Sequence, residues 1–212
     1  MIKKLSEYKL IIFDMDGTLY YQRPLRIKMA MSLVKNIFAR GGILELRTIL
    51  TFRKVRDGWT AKGDVDKEQY QAVAEKLGIT PEAVQATVNK WIYEAPLGLL
   101  KSVRDEELCG MILQEGMPQM VVYSDYPPAD KLAALGLNMP SYYSGQDNIG
   151  IMKPDPKGVS LIMNEYGIGK PSDVLVIGDR QCKDGEMADR AGCDKIILSG
   201  SRKKRALQYR DI

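Results

Sequence analysis

Histidine is absent from the 212 residues of this chain, and cysteine is scarce. Without histidine, neither a Ser-His-Asp triad nor a Cys-His pair can be built, and the usual imidazole ligands of zinc are missing. The three cysteines, Cys109, Cys182 and Cys193, lie far apart and in no metal-binding spacing, which favours free thiols over a disulfide framework. Acid–base chemistry near neutral pH is therefore left to carboxylates, lysine, tyrosine or cysteine.

Long hydrophobic runs are also missing, because none approaches the ~18 residues of a membrane span. Lys3 and Lys4 are followed by a polar segment rather than by the apolar core of a signal peptide, so we expect a cytoplasmic protein. The net charge of +4 is mild. A basic run at 201–205 resembles a nucleic-acid patch only in composition, so we expect a solvated tail and no nucleic-acid partner.

What is present is a short apolar run, Leu10 to Phe13, that ends at Asp14 and Asp16. Such a run is typical of a buried strand in a parallel sheet, and ligands bind where the carboxyl ends of such strands emerge. Gly17 allows a sharp turn after the strand, and Thr18 adds a hydroxyl at the same opening. A strand followed by an ordinary polar turn would produce the same pattern, so later segments must decide.

From residue 21 to residue 95 the apolar residues recur at helical spacing without a strand pattern. We predict four helices, at about 24–39, 44–55, 66–77 and 80–95, with Asp66 as the N-cap of the third. The predicted buried face of the first helix consists of Ile27, Met31, Val34 and Phe38. Inserted after the first strand, these helices could cover the crevice as a lid. Among their basic residues we expect Arg23, the nearest in sequence to the aspartates, to contact an anionic substrate.

After Pro96 the pattern alternates between helices and strands. We predict strands at 120–123, 142–143, 174–177 and 196–198, and helices at 99–114, 129–135, 157–166 and 187–192. This alternation predicts an α/β fold with a doubly wound, Rossmann-like parallel sheet and an inserted all-helical segment. The predicted core comprises residues 1–20 and 96–212, and the predicted helical cap domain comprises residues 21–95.

Polar side chains follow each predicted core strand. Ser124 ends the second, Asp179 and Asp184 follow a later one, and Lys153 precedes a helix N-terminus. Four carboxylates in one crevice would repel one another unless a cation lay among them, and aspartates favour a hard cation such as Mg²⁺. A lysine, a hydroxyl and a divalent cation suit a phosphoryl group, for which a carboxylate is an available nucleophile.

These segments, in this order, resemble the four motifs of the haloacid dehalogenase superfamily of phosphotransferases. Asp-x-Asp-Gly-Thr matches residues 14–18, the serine after the second core strand matches Ser124, and the lysine matches Lys153. Gly-Asp followed by a further aspartate matches Asp179 and Asp184. The helical insert resembles the helical cap of phosphoglycolate-phosphatase-like members.

The resemblance implies that Asp14 is the nucleophile and that Asp16 is the general acid and base. It implies Mg²⁺ held by the Asp14 carboxylate, the Asp16 carbonyl and Asp179, with Asp184 as a further ligand or as a support of the ligands. Ser124 and Lys153 would hold the phosphoryl oxygens. Thr18 would orient the loop or contact the substrate. Asp125 would either support the site or cap the next helix, and we favour the cap.

The leading hypothesis is a Mg²⁺-dependent phosphatase that hydrolyses a small phosphorylated metabolite through an aspartyl-phosphate. A sugar-phosphate mutase of the same fold and a non-catalytic phosphate-binding or partner-binding protein remain alternatives. The aspartate at position 16 argues against a dehalogenase, because the halide that a dehalogenase releases needs no proton. The natural substrate and the oligomeric state cannot be read from the sequence.

Overall fold

The computed structural model describes residues 3–38, 41–146 and 148–211. In this part of the chain one sheet contains five parallel strands in the order β3-β2-β1-β4-β5. The strands are β1 (Leu10–Phe13), β2 (Gln119–Ser124), β3 (Ser141–Tyr143), β4 (Val174–Gly178) and β5 (Asp194–Ile197). Because β1 lies at the centre, its carboxyl end emerges between those of β2 and β4.

Alternate residues of the central strands bury opposite faces of the sheet. Ile11 and Phe13 belong to one hydrophobic cluster, and Leu10 and Ile12 belong to the other. Full burial of such a side chain stabilises the fold by about 1.5–3 kcal/mol. Because both faces of this sheet are covered, every residue of the central strand β1 is buried, and the strand is apolar throughout instead of alternating between apolar and polar residues. The doubly wound α/β arrangement predicted from the sequence is confirmed.

The helices before β2 are consecutive and occupy one stretch of chain. They are α1 (Gln22–Asn36), α2 (Gly42–Asp57), α3 (Val65–Leu77) and α4 (Pro81–Val88), followed by a π-helical turn (Asn89–Glu94), α5 (Leu97–Leu100) and α6 (Glu106–Ile112). Asp64, not the predicted Asp66, caps α3, because its side chain accepts from the Lys67 backbone N–H at 3.1 Å. The predicted end of the first helix, at residue 39, lies outside the described residues.

The predicted buried face of α1 is wrong. Leu25, Met29 and Leu33 are buried, whereas the predicted face is exposed, with Phe38, just past the helix, 90% exposed. Both sets recur at helical spacing, and only the position of the neighbouring elements decides which set packs inward. The exposed residues of the predicted face are Ile27, Met31, Val34 and Phe38.

The single helix predicted at 99–114 is also wrong, because the chain is broken between α5 and α6. Asp105 ends the break by accepting a hydrogen bond from the Leu108 backbone N–H at 3.2 Å, which makes it the N-cap of α6. Just before it, Arg104 forms an antiparallel bridge with Tyr20. The two chain segments that connect the inserted helices to the sheet therefore pair with each other.

The remaining helices follow the predicted pattern closely, except at the C-terminal end. They are α7 (Ala129–Leu135), α8 (Lys157–Glu165), α9 (Glu186–Ala191) and α10 (Arg202–Gln208). The basic run, predicted to be a solvated tail, forms the start of α10, and its Arg205 is completely buried. Within the described residues, no helix combines the length and hydrophobicity required to span a membrane.

Candidate active site

The sheet brings three of the predicted site residues to one edge. Asp14 follows β1, Ser124 ends β2 and Asp179 follows β4. β1 pairs with both neighbours in parallel, so these three strand ends are adjacent. The backbone N–H of Asp14 donates to the Ile177 carbonyl at 2.8 Å, which continues the β1–β4 ladder to the aspartate itself.

Lys153 links two of the carboxylates. Its Nζ lies 2.7 Å from Asp14 Oδ1 and 2.8 Å from Asp184 Oδ1, and all three residues are buried. Burial alone would lower the pKa of Lys153, but the charges of Asp14 and Asp184 outweigh it and hold the pKa above its ordinary value. The lysine is therefore cationic, and it offsets one of the negative charges.

The acidic residues of this edge can hold a cation. Asp14, Asp179 and Asp184 each offer a carboxylate oxygen, and these oxygens lie within 4.8 Å of one another. Burial and the charge of Asp184 raise the pKa of Asp14 to about 7 and that of Asp179 to about 6. The single positive charge of Lys153 therefore does not balance the negative charge that these three carboxylates would carry together.

Two further observations support a cation at this place. Asp179 Oδ1 is buried and has no hydrogen-bond partner among the described residues. Gly17 has a φ of +100°, and a Cβ added there would lie 2.2 Å from Asp179 Oδ2. Only glycine therefore allows the loop after β1 to approach this carboxylate so closely. A set of oxygen ligands alone suits a hard divalent cation such as Mg²⁺.

Thr18, in the loop after β1, and Ser124, the last residue of β2, are both buried. The Thr18 hydroxyl donates to Asp14 Oδ2 at 3.2 Å, and the side chain has no exposed surface, which fits a role in orienting Asp14 rather than in contacting a substrate. Ser124 Oγ accepts from the Tyr126 backbone N–H at 3.1 Å, which fixes its side chain at the end of β2.

Asp16 has two partners that its sequence neighbourhood does not reveal. Lys131 of α7 donates to Asp16 Oδ1 at 2.6 Å, and the Tyr20 hydroxyl donates to the same oxygen. Burial would raise the pKa of Asp16, but Lys131 outweighs it and holds the pKa below its ordinary value. Asp16 Oδ2 is buried without a partner among the described residues. In this state Asp16 is a carboxylate that can accept a proton.

The predicted capping role of Asp125 is wrong. Its Oδ1 accepts from the Lys153 backbone N–H at 3.1 Å, and Pro128 occupies the N-cap position of α7. The Asp125 carbonyl accepts from Arg56 of α2, a fully buried arginine whose guanidinium also lies 4.5 Å from the centre of the Tyr126 ring. Asp125 therefore supports the lysine segment and contacts the inserted helices.

Arg205 holds the loop after β1 from the other side. Its guanidinium donates to the Gly17 carbonyl at 2.6 Å, to the Thr18 carbonyl at 2.9 Å and to Asp105 Oδ2 at 2.9 Å. The Tyr209 hydroxyl donates to the same Asp105 oxygen at 2.7 Å. No local sequence signal identifies this arginine, because it stands in a basic run that is also typical of a solvated helix.

A cavity of about 100 Å³ opens beside Asp16 between the sheet edge and the inserted helices. Its residues come from the loops after β1, β2 and β4, from α1, α2 and α7, and from the π-helical turn with Pro96 after it. Arg26 and Arg53 line it, whereas the predicted Arg23 is exposed and lines a neighbouring depression with Gly17 and Asp179. The structure therefore brings Arg23 near the acidic residues but outside the cavity of Asp16.

Comparisons with known proteins are consistent with this geometry. A family model described as haloacid dehalogenase-like hydrolase matches residues 99–192. The chain is 26% identical over 192 residues to a glyceraldehyde 3-phosphate phosphatase of Methanopyrus kandleri, and the match covers 87% of this chain and 81% of that protein.

Solved structures share the fold at lower identity. The HAD-hydrolase YfnB from Bacillus subtilis, bound to magnesium, has a TM-score of 0.63 at 14% identity, covering 91% of this chain and 89% of that one. The L-2-haloacid dehalogenase of Xanthobacter autotrophicus has a TM-score of 0.62 at 15% identity, covering 95% and 81%. In the ordered motifs, in the family model over residues 99–192 and in the fold, this chain is similar to proteins of the haloacid dehalogenase superfamily.

Proposed function

We propose that the protein is a Mg²⁺-dependent phosphatase of the cytoplasm that hydrolyses a small phosphomonoester through an aspartyl-phosphate on Asp14. One observation carries this proposal: a buried lysine bridges Asp14 and Asp184 beside a third carboxylate, that of Asp179. A carboxylate nucleophile can approach a phosphate ester only where cations offset the charge of both, and this arrangement supplies one cation and the ligands for another.

Mg²⁺ would be held by the carboxylates of Asp14 and Asp179 and by the carbonyl of Asp16, with Asp184 as a further ligand or as a support of the ligands. When bound, the ion would neutralise charge on the phosphoryl oxygens. Asp179 Oδ1, which is buried without a hydrogen-bond partner among the described residues, and the raised pKa values of Asp14 and Asp179 support this assignment.

Asp14 would attack phosphorus and displace the alkoxide of the substrate, while Asp16 gives a proton to the leaving oxygen. Asp16 would then take a proton from water, whose oxygen attacks the aspartyl-phosphate, frees Asp14 and releases inorganic phosphate. Because Lys131 keeps the Asp16 carboxyl ionised in the free protein, the acid role requires a proton that arrives with substrate. An anionic phosphoryl group nearby would raise the pKa of Asp16 and so favour its protonated form.

The Ser124 hydroxyl and the Lys153 ammonium would bind the nonbridging phosphoryl oxygens. Lys153 already contacts Asp14, so it would hold nucleophile and phosphoryl group at hydrogen-bond distance from one atom. Thr18 would keep the Asp14 carboxylate oriented through its hydrogen bond to Oδ2.

We further propose that residues 21–95 form a cap domain over a core of residues 1–20 and 96–212. The cavity beside Asp16 has walls from α1, α2 and the π-helical turn, which supports a role of these helices in choosing the substrate. Its volume of about 100 Å³ favours a small metabolite. The Methanopyrus kandleri relative, named for glyceraldehyde 3-phosphate, supports a substrate of this size.

The decisive experiment measures phosphate release from p-nitrophenyl phosphate and from a panel of metabolite phosphates, with Mg²⁺ and with EDTA. We expect hydrolysis that EDTA abolishes and that Asp14→Asn reduces by at least about a thousandfold, because the nucleophile is removed. Asp130→Asn, an exposed aspartate of α7, is the matched control and should retain full activity.

Turnover that survives Asp14→Asn would refute the nucleophile assignment. Transfer between two hydroxyls of one sugar, with little release of phosphate and dependence on a bisphosphate, would identify a mutase instead. Phosphate binding without any turnover would identify a non-catalytic member of the superfamily.

A further inference from the structure

The outward surface of the first two inserted helices is apolar and exposed. Among the described residues nine large hydrophobic side chains are exposed, and seven of them lie between residues 27 and 50. Single exposed hydrophobic residues are ordinary on a protein surface, whereas a concentration of them marks a place of contact with another molecule. We call the surface that carries these seven side chains the α1–α2 face. They are Ile27, Met31, Val34, Phe38, Ile43, Leu44 and Leu50.

Helix α1 is apolar on two opposite sides. Leu25, Met29 and Leu33 pack in the hydrophobic core, so the helix cannot rotate to bury its outward side as well. A helix that is hydrophobic all round is normally covered all round. The inward side of α1 is covered by the rest of the chain, and the outward side is therefore the side on which an external partner would bind.

The exposed side chains of α1 and α2 belong to one surface. Asn36 Nδ2, at the end of α1, donates to Glu45 Oε2, at the start of α2, at 2.8 Å. At the other end Arg26 of α1 and Arg53 of α2 line the same cavity. The two helices therefore lie side by side and antiparallel. Phe38, the most exposed of the seven apolar residues, stands where α1 ends and α2 begins.

The helices that carry this face are strongly basic. Residues 22–57 contain nine lysine and arginine residues but only two acidic residues, Glu45 and Asp57. The charge of Glu45 is offset by Lys90, whose Nζ lies 2.9 Å from Glu45 Oε2. Five of the basic side chains are exposed, and in the described part of the chain none of these five forms an ion pair. They are Arg23, Arg26, Lys35, Arg47 and Lys54.

The next two helices have the opposite character. Residues 64–82, which include α3 and the start of α4, contain five acidic residues and two lysines, and they carry none of the exposed large hydrophobic side chains. A negatively charged surface would therefore attract α1 and α2 and repel α3 and α4, which fixes orientation as well as attraction. A second copy of this chain, docked by the same face, would bring like charges together, so the charge disfavours a symmetric dimer.

We propose that the α1–α2 face binds the surface of a membrane that contains anionic phospholipids. The exposed lysines and arginines pair with the lipid head groups, and Phe38 and its apolar neighbours insert between the head groups and the acyl chains. A protruding phenylalanine enters a lipid layer without a matching pocket, which an acidic protein would have to supply. Only side chains enter the lipid, because the other side of α1 stays in the core. The binding is therefore peripheral and reversible.

The test is flotation of the full-length protein with vesicles of phosphatidylcholine alone or with about 30% phosphatidylserine. We expect binding to the anionic vesicles only, weakened at least about 10-fold between about 0.1 M and about 0.5 M salt, because salt screens exposed charges. Phe38→Gln should weaken binding at least about 10-fold, because an aromatic side chain no longer leaves water. The matched control is Leu113→Gln, which removes an exposed leucine outside the face and should leave binding unchanged.

Lys35→Gln combined with Arg47→Gln tests the contribution of charge. Each basic residue near an anionic surface strengthens binding by about 5-fold, so the double variant should bind about 25-fold more weakly. Lys203→Gln combined with Lys204→Gln, two exposed lysines of α10, removes the same net charge elsewhere and should lower binding by less than about 3-fold. All of these side chains are exposed, and binding is measured without substrate, so the result is independent of the proposed phosphatase function.

Equal binding to both kinds of vesicle, or binding to neither, overturns the inference. Equal effects of Phe38→Gln and Leu113→Gln overturn it as well. If ultracentrifugation without lipid shows a dimer that Phe38→Gln dissociates, the face joins two copies of the chain and the membrane assignment is wrong. If polyglutamate or single-stranded RNA binds through Lys35 and Arg47 and the vesicles do not, the partner is a soluble polyanion and the assignment is again wrong.

Discussion

At the scale of single residues, the site depends on how burial and neighbouring charges alter a few carboxyl groups. Asp14 and Asp179 have pKa values raised to about 7 and about 6, whereas the pKa of Asp16 is lowered. The difference arises because Lys131 and Tyr20 donate hydrogen bonds to Asp16, whereas Asp14 and Asp179 lie close to the carboxylate of Asp184. In the proposed mechanism the same residue type would thus supply both a cation ligand and a base in one crevice.

The raised pKa of Asp14 predicts how the metal-free protein responds to pH. A carboxyl group whose pKa rises from 3.8 to about 7 on folding stabilises the protein at low pH, and this contribution is lost as the pH rises through that range. In EDTA, Asp14→Asn should therefore be more stable than the wild type at pH 8, and this difference should be smaller at pH 5. Urea unfolding at both pH values measures this difference.

Mg²⁺ should make the wild type more stable than Asp14→Asn at pH 8, the reverse of their order in EDTA. The ion binds the ionised carboxylates of the wild type and stabilises the folded state by mass action. It should have little effect on Asp14→Asn. A wild type whose stability in EDTA equals that of the variant at both pH values would contradict the raised pKa of Asp14.

The lowered pKa of Asp16 predicts the effect of Lys131→Met. Loss of the ammonium 2.6 Å from the carboxylate leaves burial as the main influence, so the pKa of Asp16 should rise above 3.8. A pH titration of the Asp16 carboxyl carbon by NMR measures the change. Lys101→Met, an exposed lysine, is the control, and an Asp16 titration that Lys131→Met leaves unmoved would exclude the pairing.

At the scale of elements, α1 shows how a correct helix can be assigned the wrong face. Leu33 is 7% exposed and packs in the core, while its neighbour Val34 is 55% exposed. Leu33→Ala should lower the free energy of unfolding by about 2–5 kcal/mol, whereas Val34→Ala should change it by no more than about 0.5 kcal/mol. Chemical denaturation of the two variants checks the orientation of α1, and equal losses would mean that α1 packs differently.

The C-terminal helix α10 is predicted to be essential to the site although no part of it resembles a catalytic motif. Arg205→Met would leave Asp105 buried without its cation, and it would leave two carbonyls of the loop after β1 without a donor. We expect a loss of about 3–5 kcal/mol in the free energy of unfolding, the range for breaking a buried ion pair from one side. Urea unfolding provides the measurement.

Lys203→Met, in the same helix and exposed, should change stability by less than about 0.5 kcal/mol. A double variant, Arg205→Met with Asp105→Asn, should recover part of the loss because the buried charge is removed as well. Equal effects of Arg205→Met and Lys203→Met would contradict the role of Arg205 in holding the loop.

At the scale of the whole molecule, the inserted helices are tied to the sheet by buried contacts and not only by the chain. Arg56 of α2 is 1% exposed and donates to Tyr143 at 2.8 Å and to the Asp125 carbonyl, both outside the insertion. On another side the two connecting segments pair through Tyr20 and Arg104. The cavity beside Asp16 is thus a junction between insertion and sheet, which is where we expect specificity to be set.

The sheet and the residues at its edge could be predicted because their signals are local. An apolar run that ends in an aspartate, as at Phe13–Asp14, carries both the strand and the position of its carboxyl end. Lys131, Arg205 and Arg56 could not be predicted, because each acts through a partner more than 60 residues away in sequence. The sequence of a helix does not show whether its lysine or arginine faces water or a buried carboxylate.

The arrangement of the three thiols has a practical consequence. Cys109 and Cys193 are buried, whereas Cys182 is exposed, in the segment between Asp179 and Asp184. A maleimide dye added to the native, unaltered protein should therefore attach at one place, on the segment that carries two of the acidic side chains. Its fluorescence would offer a direct optical titration of ion uptake, with no need for engineered labelling positions.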